Sequence, residues 1–250
     1  MSISDIRLKS PLVHCITNYV VANFTANGLL AIGASPVMAD EASEVEEMVS
    51  IANALLINLG TVNTRTKESM FLAGKKANAL NIPVVLDPVG VGATTFRLQL
   101  TRDILEVVDI SLIRCNIGEL AAIAGVDWQA KGVDGGSGQM NLETVAVDVA
   151  KKHNCLVIVT GKSDLLTDGN KIIRITGGHK RMTEVTGTGC LLSAICSAAL
   201  AFSGERFENL QKVLQDYKKV ATKASKSTLL GSFQVDVLNA LDEISRGELK

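Results

Sequence analysis

Four short, mostly apolar runs separated by longer amphipathic stretches constrain the fold of this chain most. The runs are residues 54–58, 82–87, 110–113 and 156–160. Their apolar residues are continuous rather than alternating, which is the pattern of strands buried on both faces of a sheet. Amphipathic stretches between such strands favour parallel pairing through crossover helices. The sequence therefore predicts an α/β fold whose central sheet is mostly parallel and covered by helices on both faces.

Capping residues and turns refine this prediction. We predict helices over residues 64–79, 94–107 and 141–153, each capped by its own first residue, which is a threonine or an asparagine. The Asp168-Gly169 pair between two apolar runs predicts a hairpin, and hence an antiparallel edge of the sheet.

The last part of the chain is predicted to be helical, over residues 190–201, 207–226 and 235–244. The glycine-rich segment 135–138 is predicted to be an exposed loop, because no strand runs directly into it. With no repeat, linker or shift in composition, residues 1–250 are interpreted as one domain.

Charge and composition exclude several classes of function. The chain has 25 lysines and arginines against 26 aspartates and glutamates, so it lacks the basic surface that a nucleic-acid-binding protein needs. It has no uninterrupted apolar run of about 18 residues that could span a membrane. No secretion signal is recognised, and we expect a cytoplasmic protein. Its five cysteines form no C-x-x-C pair, which favours free thiols over a disulfide framework or a zinc site.

The strongest local motif is the glycine-rich turn Gly187-Thr188-Gly189-Cys190 at the start of an apolar helix. Free N–H groups at a helix start attract anions, so the turn is a candidate phosphate cradle. The alternative is a plain glycine-rich helix entry. The helix dipole would also lower the pKa of the Cys190 thiol, although a buried structural cysteine is the alternative. Leu192 occupies the place of the third glycine of a dinucleotide-binding fingerprint, which excludes that motif.

Polar residues follow two of the predicted strands. Asp87 ends the run 82–87 and precedes a proline and glycine turn, where a carboxylate could bind Mg²⁺ through water or could simply form the turn. Arg114 follows the next strand and could neutralise phosphate charge. Asn116 and Glu119 lie three residues apart, which suits either a shared polar face or a helix cap. Ligands of open parallel sheets collect at this carboxyl edge.

Together these segments resemble the ribokinase-like superfamily, and more narrowly the hydroxyethylthiazole kinase family. The resemblance rests on Asn116–Glu119, on the Gly-Thr-Gly-Cys turn, on Pro11–Asn18 and on Asp87–Gly90. Many sugar kinases of this superfamily have aspartate where this chain has Cys190. The resemblance covers residues from about 10 to about 200.

The resemblance implies a three-layer ribokinase-like domain that transfers the γ-phosphoryl group of ATP, with Mg²⁺, to the alcohol of 4-methyl-5-(2-hydroxyethyl)thiazole in thiamine salvage. It also implies a homotrimer with its sites at subunit boundaries. Cys190 matches the position beside the reacting hydroxyl, where it would accept a proton late in the reaction. The other matching positions are Asn18, Val20, Met38 and Gly187 for the thiazole, Arg114, Thr160 and Gly189 for the nucleotide, and Asp87 and Glu119 for Mg²⁺.

Three other functions stay open at this point. Another vitamin kinase of the same fold would act on hydroxymethylpyrimidine or pyridoxal. A regulator could bind nucleotide without catalysis. A hydrolase with Cys190 as nucleophile would need a histidine partner, and only His14, His153 and His179 are available.

Overall fold

The computed structural model describes residues 2–126, 140–202 and 204–249. Within them, eight strands form one sheet in the order β2-β1-β3-β4-β5-β6-β7-β8. The first six strands are parallel, and β7 and β8 join antiparallel at one edge. The strands are β1 (Leu12–Ile16), β2 (Ser35–Val37), β3 (Ala54–Asn58), β4 (Val84–Asp87), β5 (Leu112–Asn116), β6 (Leu156–Thr160), β7 (Asp164–Thr167) and β8 (Ile172–Ile175).

Helices cover both faces of the sheet. One apolar core contains side chains of the first, second, eighth, ninth and tenth helices, and the other contains side chains of the third to the seventh. The predicted three-layer α/β architecture is therefore confirmed. The helices are α1 (Ile3–Lys9), α2 (Ala22–Ala31), α3 (Val45–Ile51), α4 (Thr64–Ala79), α5 (Thr95–Val107), α6 (Ile117–Ala124), α7 (Leu142–His153), α8 (Thr188–Leu200), α9 (Arg206–Ala224) and α10 (Leu230–Ser245).

Strand β3 shows why the predicted strands have continuous apolar sequences. Its residues Leu55 and Ile57 pack into one core, while Leu56 packs into the other. Successive side chains of a strand point to opposite faces of the sheet. A strand between two helical layers therefore needs apolar residues at both its odd and its even positions. None of the helices in the described ranges has the length and apolar composition needed to cross a membrane.

Two of the three predicted helix caps are confirmed. Thr94 and Asn141 accept backbone N–H groups at the starts of α5 and α7. The prediction of Thr64 as a cap is wrong, because the preceding Asn63 accepts the N–H groups of the first turn of α4. Asparagine is the stronger cap, and Thr64 becomes the first helical residue. The predicted hairpin is confirmed, with Gly169 at a φ of 89° in the turn.

The first fifty residues hold elements that the sequence did not predict. The strand β1 and the three-residue strand β2 form the far edge of the parallel sheet, and α1 to α3 accompany them. The predicted loop at 135–138 lies outside the described residues.

Candidate active site

The site is built where β3 and β4 end side by side. Asn58 and Asp87 are the last residues of these strands and are paired in register. Both side chains are almost fully buried, with Asn58 at 1% and Asp87 at 0% exposure. Burial raises the pKa of Asp87 to about 6, although Arg114 opposes this. An ionisable group of this kind at the carboxyl edge of the sheet is typical of a functional centre.

The two carboxylate oxygens of Asp87 have different surroundings. Oδ2 accepts hydrogen bonds from Asn58 Nδ2 at 2.9 Å and from Ser193 Oγ at 2.8 Å. Oδ1 lies 3.8 Å from Arg114 Nη1 and has no hydrogen-bond partner, although it is buried. The Nε atom of Arg114 is also buried without a partner. Unpaired buried ionic atoms of both signs are expected where a charged ligand completes the bonding.

Arg114 is held in place from two further directions. Its Nη2 donates to Thr160 Oγ1 at 2.5 Å, and Thr160 Oγ1 in turn donates to the carbonyl of Cys115 at 3.3 Å. A Cβ atom on Gly189 would lie 2.6 Å from Arg114 Nη1, so only glycine lets the guanidinium approach the start of α8 so closely. The predicted nucleotide residues Arg114, Thr160 and Gly189 thus lie together.

The glycine-rich turn opens α8 as predicted. Gly187 is its N-cap residue, with a φ of 96° that favours glycine, and a Cβ atom there would lie 2.6 Å from Val21. No side chain caps the first turn of α8. Its N–H groups are therefore available to an anion in the way that the phosphate-cradle prediction requires.

Cys190 lies in the first turn of α8, and its predicted pKa shift is wrong. Burial, followed by the charge of Asp87, raises the pKa of the thiol to about 11. The helix dipole does not offset the loss of hydration. Asn18 Nδ2 contacts Cys190 Sγ at 3.6 Å. Across the described residues no histidine forms a hydrogen bond with Cys190, which contradicts the requirement of a cysteine-nucleophile hydrolase.

Glu119 has a structural role in addition to its effect as a negative charge. Its Oε1 accepts the N–H of Gly90 at 2.9 Å, and its Oε2 accepts the N–H of Asn116 at 2.9 Å. Asn116 returns the bond by accepting the N–H of Glu119, which makes a capping box at the start of α6. Glu119 therefore ties the turn after β4 to the start of α6, and its charge contributes to the raised pKa of Asp87.

The predicted thiazole residues divide into two groups. Asn18 joins the centre directly, since its Nδ2 donates to Asn58 Oδ1 at 2.9 Å. Val20 lies two residues further along and is 61% exposed. Met38 follows β2 and packs, partly buried, against the apolar core that includes side chains of α8. Neither Val20 nor Met38 contributes a side-chain hydrogen bond, so their part in binding could only be apolar contact.

Three residues of this site were not predicted from the sequence. Asn58 and Ser193 hold Asp87, and Arg97 connects the two loops around it. Arg97 Nη1 donates to the carbonyls of Leu59 and Val89, and Nη2 donates to that of Gly60, each at 2.6 Å. Asn58 carried a usable signal, because it ends an apolar run just as Asp87 does. We call Asn18, Asn58, Asp87, Arg114, Cys190 and Ser193 the carboxyl-end cluster.

Comparison with known proteins identifies the family. The sequence profile of the hydroxyethylthiazole kinase family matches residues 3–247. The chain belongs to this family. A hydroxyethylthiazole kinase of Lysinibacillus sphaericus is 58% identical over 98% of this chain and 97% of its own length. Another, of Exiguobacterium sp., is 48% identical over 97% of this chain and 93% of its own length. The chain is accordingly a kinase.

Solved structures agree with the fold. The hydroxyethylthiazole kinase protein of Pyrococcus horikoshii superposes with a TM-score of 0.89 at 37% identity, covering 98% of this chain and 93% of that one. A pyridoxal kinase of Staphylococcus aureus superposes with a TM-score of 0.62 at 16% identity, over 80% of this chain and 83% of its own. The second likeness concerns the fold alone, which is ribokinase-like.

A kinase of this family uses ATP, and the donors at the site fit Mg²⁺ as its companion. Within the described ranges no group of three or more histidine, cysteine or carboxylate side chains could form a complete metal cage. Mg²⁺ does not need one, because it keeps waters and is commonly held by one or two carboxylates together with substrate phosphates. The unpaired Oδ1 of Asp87 is the ligand atom that this arrangement offers.

Proposed function

We propose that this chain transfers the γ-phosphoryl group of ATP to the hydroxyl of 4-methyl-5-(2-hydroxyethyl)thiazole, a step of thiamine salvage. The observation that carries the proposal is the carboxyl-end cluster, in which Asp87, Arg114 and Cys190 meet at the start of α8. Family membership supplies the substrate. Phosphoryl transfer needs positioning and charge neutralisation more than covalent chemistry, and buried ionic groups beside a helix start can supply both.

The phosphate side of the site consists of groups that carry or favour charge. We assign the nucleotide phosphates to Arg114, Gly189 and Thr160, because the guanidinium lies against the open N–H groups of α8. Asp87 would hold Mg²⁺, which when bound neutralises phosphate charge. Glu119 would add negative charge nearby and fix the turn that follows Asp87.

The substrate side consists of Asn18, Val20, Met38, Gly187 and Cys190. With its pKa raised to about 11, the Cys190 thiol is protonated at neutral pH. A protonated thiol is not a base. We therefore assign Cys190 to contact with the reacting hydroxyl, and we expect its removal to affect the rate less than removal of a general base would.

We also propose a cytoplasmic homotrimer whose sites lie at subunit boundaries. Tyr19 and Val20, directly after Asn18, are 79% and 61% exposed, so two large side chains beside the site are open to a neighbouring subunit. Analytical ultracentrifugation checks the assembly. Sedimentation as a monomer at micromolar concentration would refute it, and would leave Val20 without the second wall that a binding role requires.

The activity itself is tested by coupled ADP release. Hydroxyethylthiazole, hydroxymethylpyrimidine and pyridoxal are assayed side by side with ATP and Mg²⁺. We expect kcat/KM for the thiazole to exceed that for either other alcohol by at least roughly tenfold, which corresponds to about 1.4 kcal/mol of discrimination. Higher kcat/KM for either other alcohol would favour that vitamin kinase instead. ADP binding without turnover of any of the three would favour the regulator.

A further inference from the structure

Asn58 lies at the centre of the carboxyl-end cluster and has no part in the roles assigned so far. Its Oδ1 accepts hydrogen bonds from Asn18 Nδ2 and from the N–H of Gly60, both at 2.9 Å. Its Nδ2 donates to Asp87 Oδ2 at 2.9 Å, and its side chain also hydrogen-bonds Cys190. One buried amide therefore touches the substrate side and the phosphate side at once.

The partners fix the orientation of this amide. A carboxylate oxygen only accepts, and two N–H groups only donate, so rotating the amide by 180° would oppose like groups at its contacts with Asp87, Asn18 and Gly60. Ser193 Oγ donates to the same Oδ2 of Asp87 at 2.8 Å. With two donors on Oδ2, the carboxylate is held with Oδ1 toward Arg114 Nη1, 3.8 Å away.

We infer that Asn58 is a positioning residue that directs Oδ1 of Asp87 toward the nucleotide phosphates and their Mg²⁺. The same amide holds Asn18 against Cys190. One rigid group therefore fixes the position of the acceptor alcohol relative to the phosphates. Ser193 assists from α8. The inference rests on the proposed function for the identity of the phosphates and the metal.

Asn58→Asp separates this role from simple space filling. Aspartate has nearly the same shape and can still accept from Asn18 and Gly60, but it cannot donate to Asp87. We expect kcat to fall by about 10- to 100-fold, as for other residues that orient a metal ligand. KM for the thiazole should change much less. Asn27→Asp is the matched control, because Asn27 is exposed and its amide contacts only Asn23 on the same helix.

The reciprocal exchange Asn58→Asp/Asp87→Asn gives the sharper test. The hydrogen bond can then form in reverse, from residue 87 to residue 58, so the melting temperature should return toward that of the wild type. The activity should stay low, because the carboxylate now ends β3 rather than β4. Wild-type kcat in the exchanged protein would overturn the inference, as would an unchanged kcat in Asn58→Asp.

Nucleotide binding supplies a readout that is independent of turnover and of the alcohol. Calorimetry with a non-hydrolysable ATP analogue should show weaker binding to Asn58→Asp in the presence of Mg²⁺ and equal binding in EDTA. Equal weakening under both conditions would mean that the added charge repels the phosphates or that structure is lost generally, and either would overturn the inference. Failure of the thiazole assay with wild-type protein would instead refute the proposed function.

If Asn58→Asp does not fold, Ser193→Ala takes its place. It removes the other donor to Asp87 Oδ2 without adding a charge. The same dependence on Mg²⁺ is expected with a smaller effect, of a few-fold up to about 10-fold. Nucleotide binding by Ser193→Ala that equals the wild type both with Mg²⁺ and in EDTA would contradict the inference.

Discussion

The two ends of the central sheet carry similar polar residues but use them differently. At the amino ends of β4, β5 and β6 there is an open cleft of about 460 Å³, which we call the amino-end cleft. The carboxyl-end cluster holds the fully buried carboxylate of Asp87 and, 3.8 Å from it, the guanidinium of Arg114. The amino-end cleft is lined by Asn78, Asn81, Ile82, Pro83, Asp109, Ile110, Ser111, Asn154, Cys155, Leu156, Asp168 and Arg206.

Polar groups in the amino-end cleft serve the backbone. Asn78 exchanges hydrogen bonds of 2.9 and 2.8 Å with the main chain of Asp109. Asn81 and Asn154 adopt left-handed φ values of 58° and 48° where helices end. In the carboxyl-end cluster, by contrast, Oδ1 of Asp87 is buried without a partner. A fully buried carboxylate that faces a guanidinium, rather than the volume of a cavity, therefore distinguishes the carboxyl end of this sheet.

Exchanging one aspartate at each end tests this contrast with the largest expected effect. Asp87→Asn should lower kcat/KM by roughly 10³-fold, because it removes the charge that faces Arg114 and that would hold Mg²⁺. Asp109→Asn is the matched change in the amino-end cleft and should leave kcat/KM within about twofold, since surface substitutions are usually mild. Steady-state kinetics measures kcat/KM of both variants against the wild type. Similar losses in the two variants would show that the two ends of the sheet do not differ in this way.

Adding one methyl group beside the guanidinium tests how closely the carboxyl-end cluster is packed. Gly189→Ala places a Cβ atom 2.6 Å from Arg114 Nη1 and should displace it from Asp87. We expect kcat/KM for ATP to fall by about 10²-fold, the usual effect of misplacing a binding group by an ångström. Gly231→Ala is the control, because nothing lies within 4 Å of its added Cβ on α10. An active Gly189→Ala enzyme would show that Arg114 has room to move.

Replacing Cys190 separates the effect of a charge in the carboxyl-end cluster from the effect of side-chain contact. Because its pKa is raised to about 11, the thiol is neutral, and Cys190→Ala should lower kcat by less than about tenfold, below the range for loss of a general base. Cys190→Asp should stay active, since related sugar kinases have aspartate there. A loss of 10²-fold or more in Cys190→Ala would restore the thiol as the base. Activity in Cys190→Ala together with an inert, folded Asp variant would indicate that pocket shape governs this position.

The smallest expected effect concerns stability and pH. The pKa of Asp87 is about 6 when folded, against an ordinary 3.8, so between about pH 4 and 6 the folded chain binds more protons than the unfolded chain. This group's contribution to the free energy of unfolding therefore falls as pH rises through that window. Asp87→Asn should remove the fall, so that its free energy of unfolding decreases less than that of the wild type between pH 4.5 and pH 7. Urea denaturation at pH 4.5 and pH 7 measures the free energy of unfolding of the wild type and of the variant. Parallel pH dependences of the two proteins would contradict the raised pKa of Asp87.

The middle of the sheet could be predicted from the sequence because its strands need apolar residues on both faces. Strands β3, β4 and β6 satisfy that rule with near-continuous apolar runs, whereas β5 begins with Leu112 and Ile113 and is then interrupted by Arg114. Strand β1 contains the polar His14, which is buried and bonded to the carbonyl of Ala39, and β2 has only three residues including Pro36. Such short or interrupted strands depend on their neighbours, so the pattern alone does not reveal them.

The candidate site was predictable where a polar residue ends or follows an apolar run, as at Asp87 and Arg114. The prediction that Arg114 follows its strand is wrong, because β5 continues to Asn116. The site was not predictable where contact depends on register or burial. Ser193 reaches Asp87 across 106 residues of sequence, and nothing local indicates this. The raised pKa of Cys190 likewise follows from burial that a helix-start motif does not express.

The guanidinium of Arg97 has a consequence for how the enzyme becomes active. It joins carbonyls after β3 and after β4 from a position on α5, so all three elements must be in place before the bonds form. The chain between Leu59 and Arg97 is a long loop to close. The entropy cost of closing it comes before the stabilisation that these hydrogen bonds provide. During refolding, recovery of activity should therefore lag behind the recovery of helical signal, which makes catalysis a late marker of assembly in this half of the sheet.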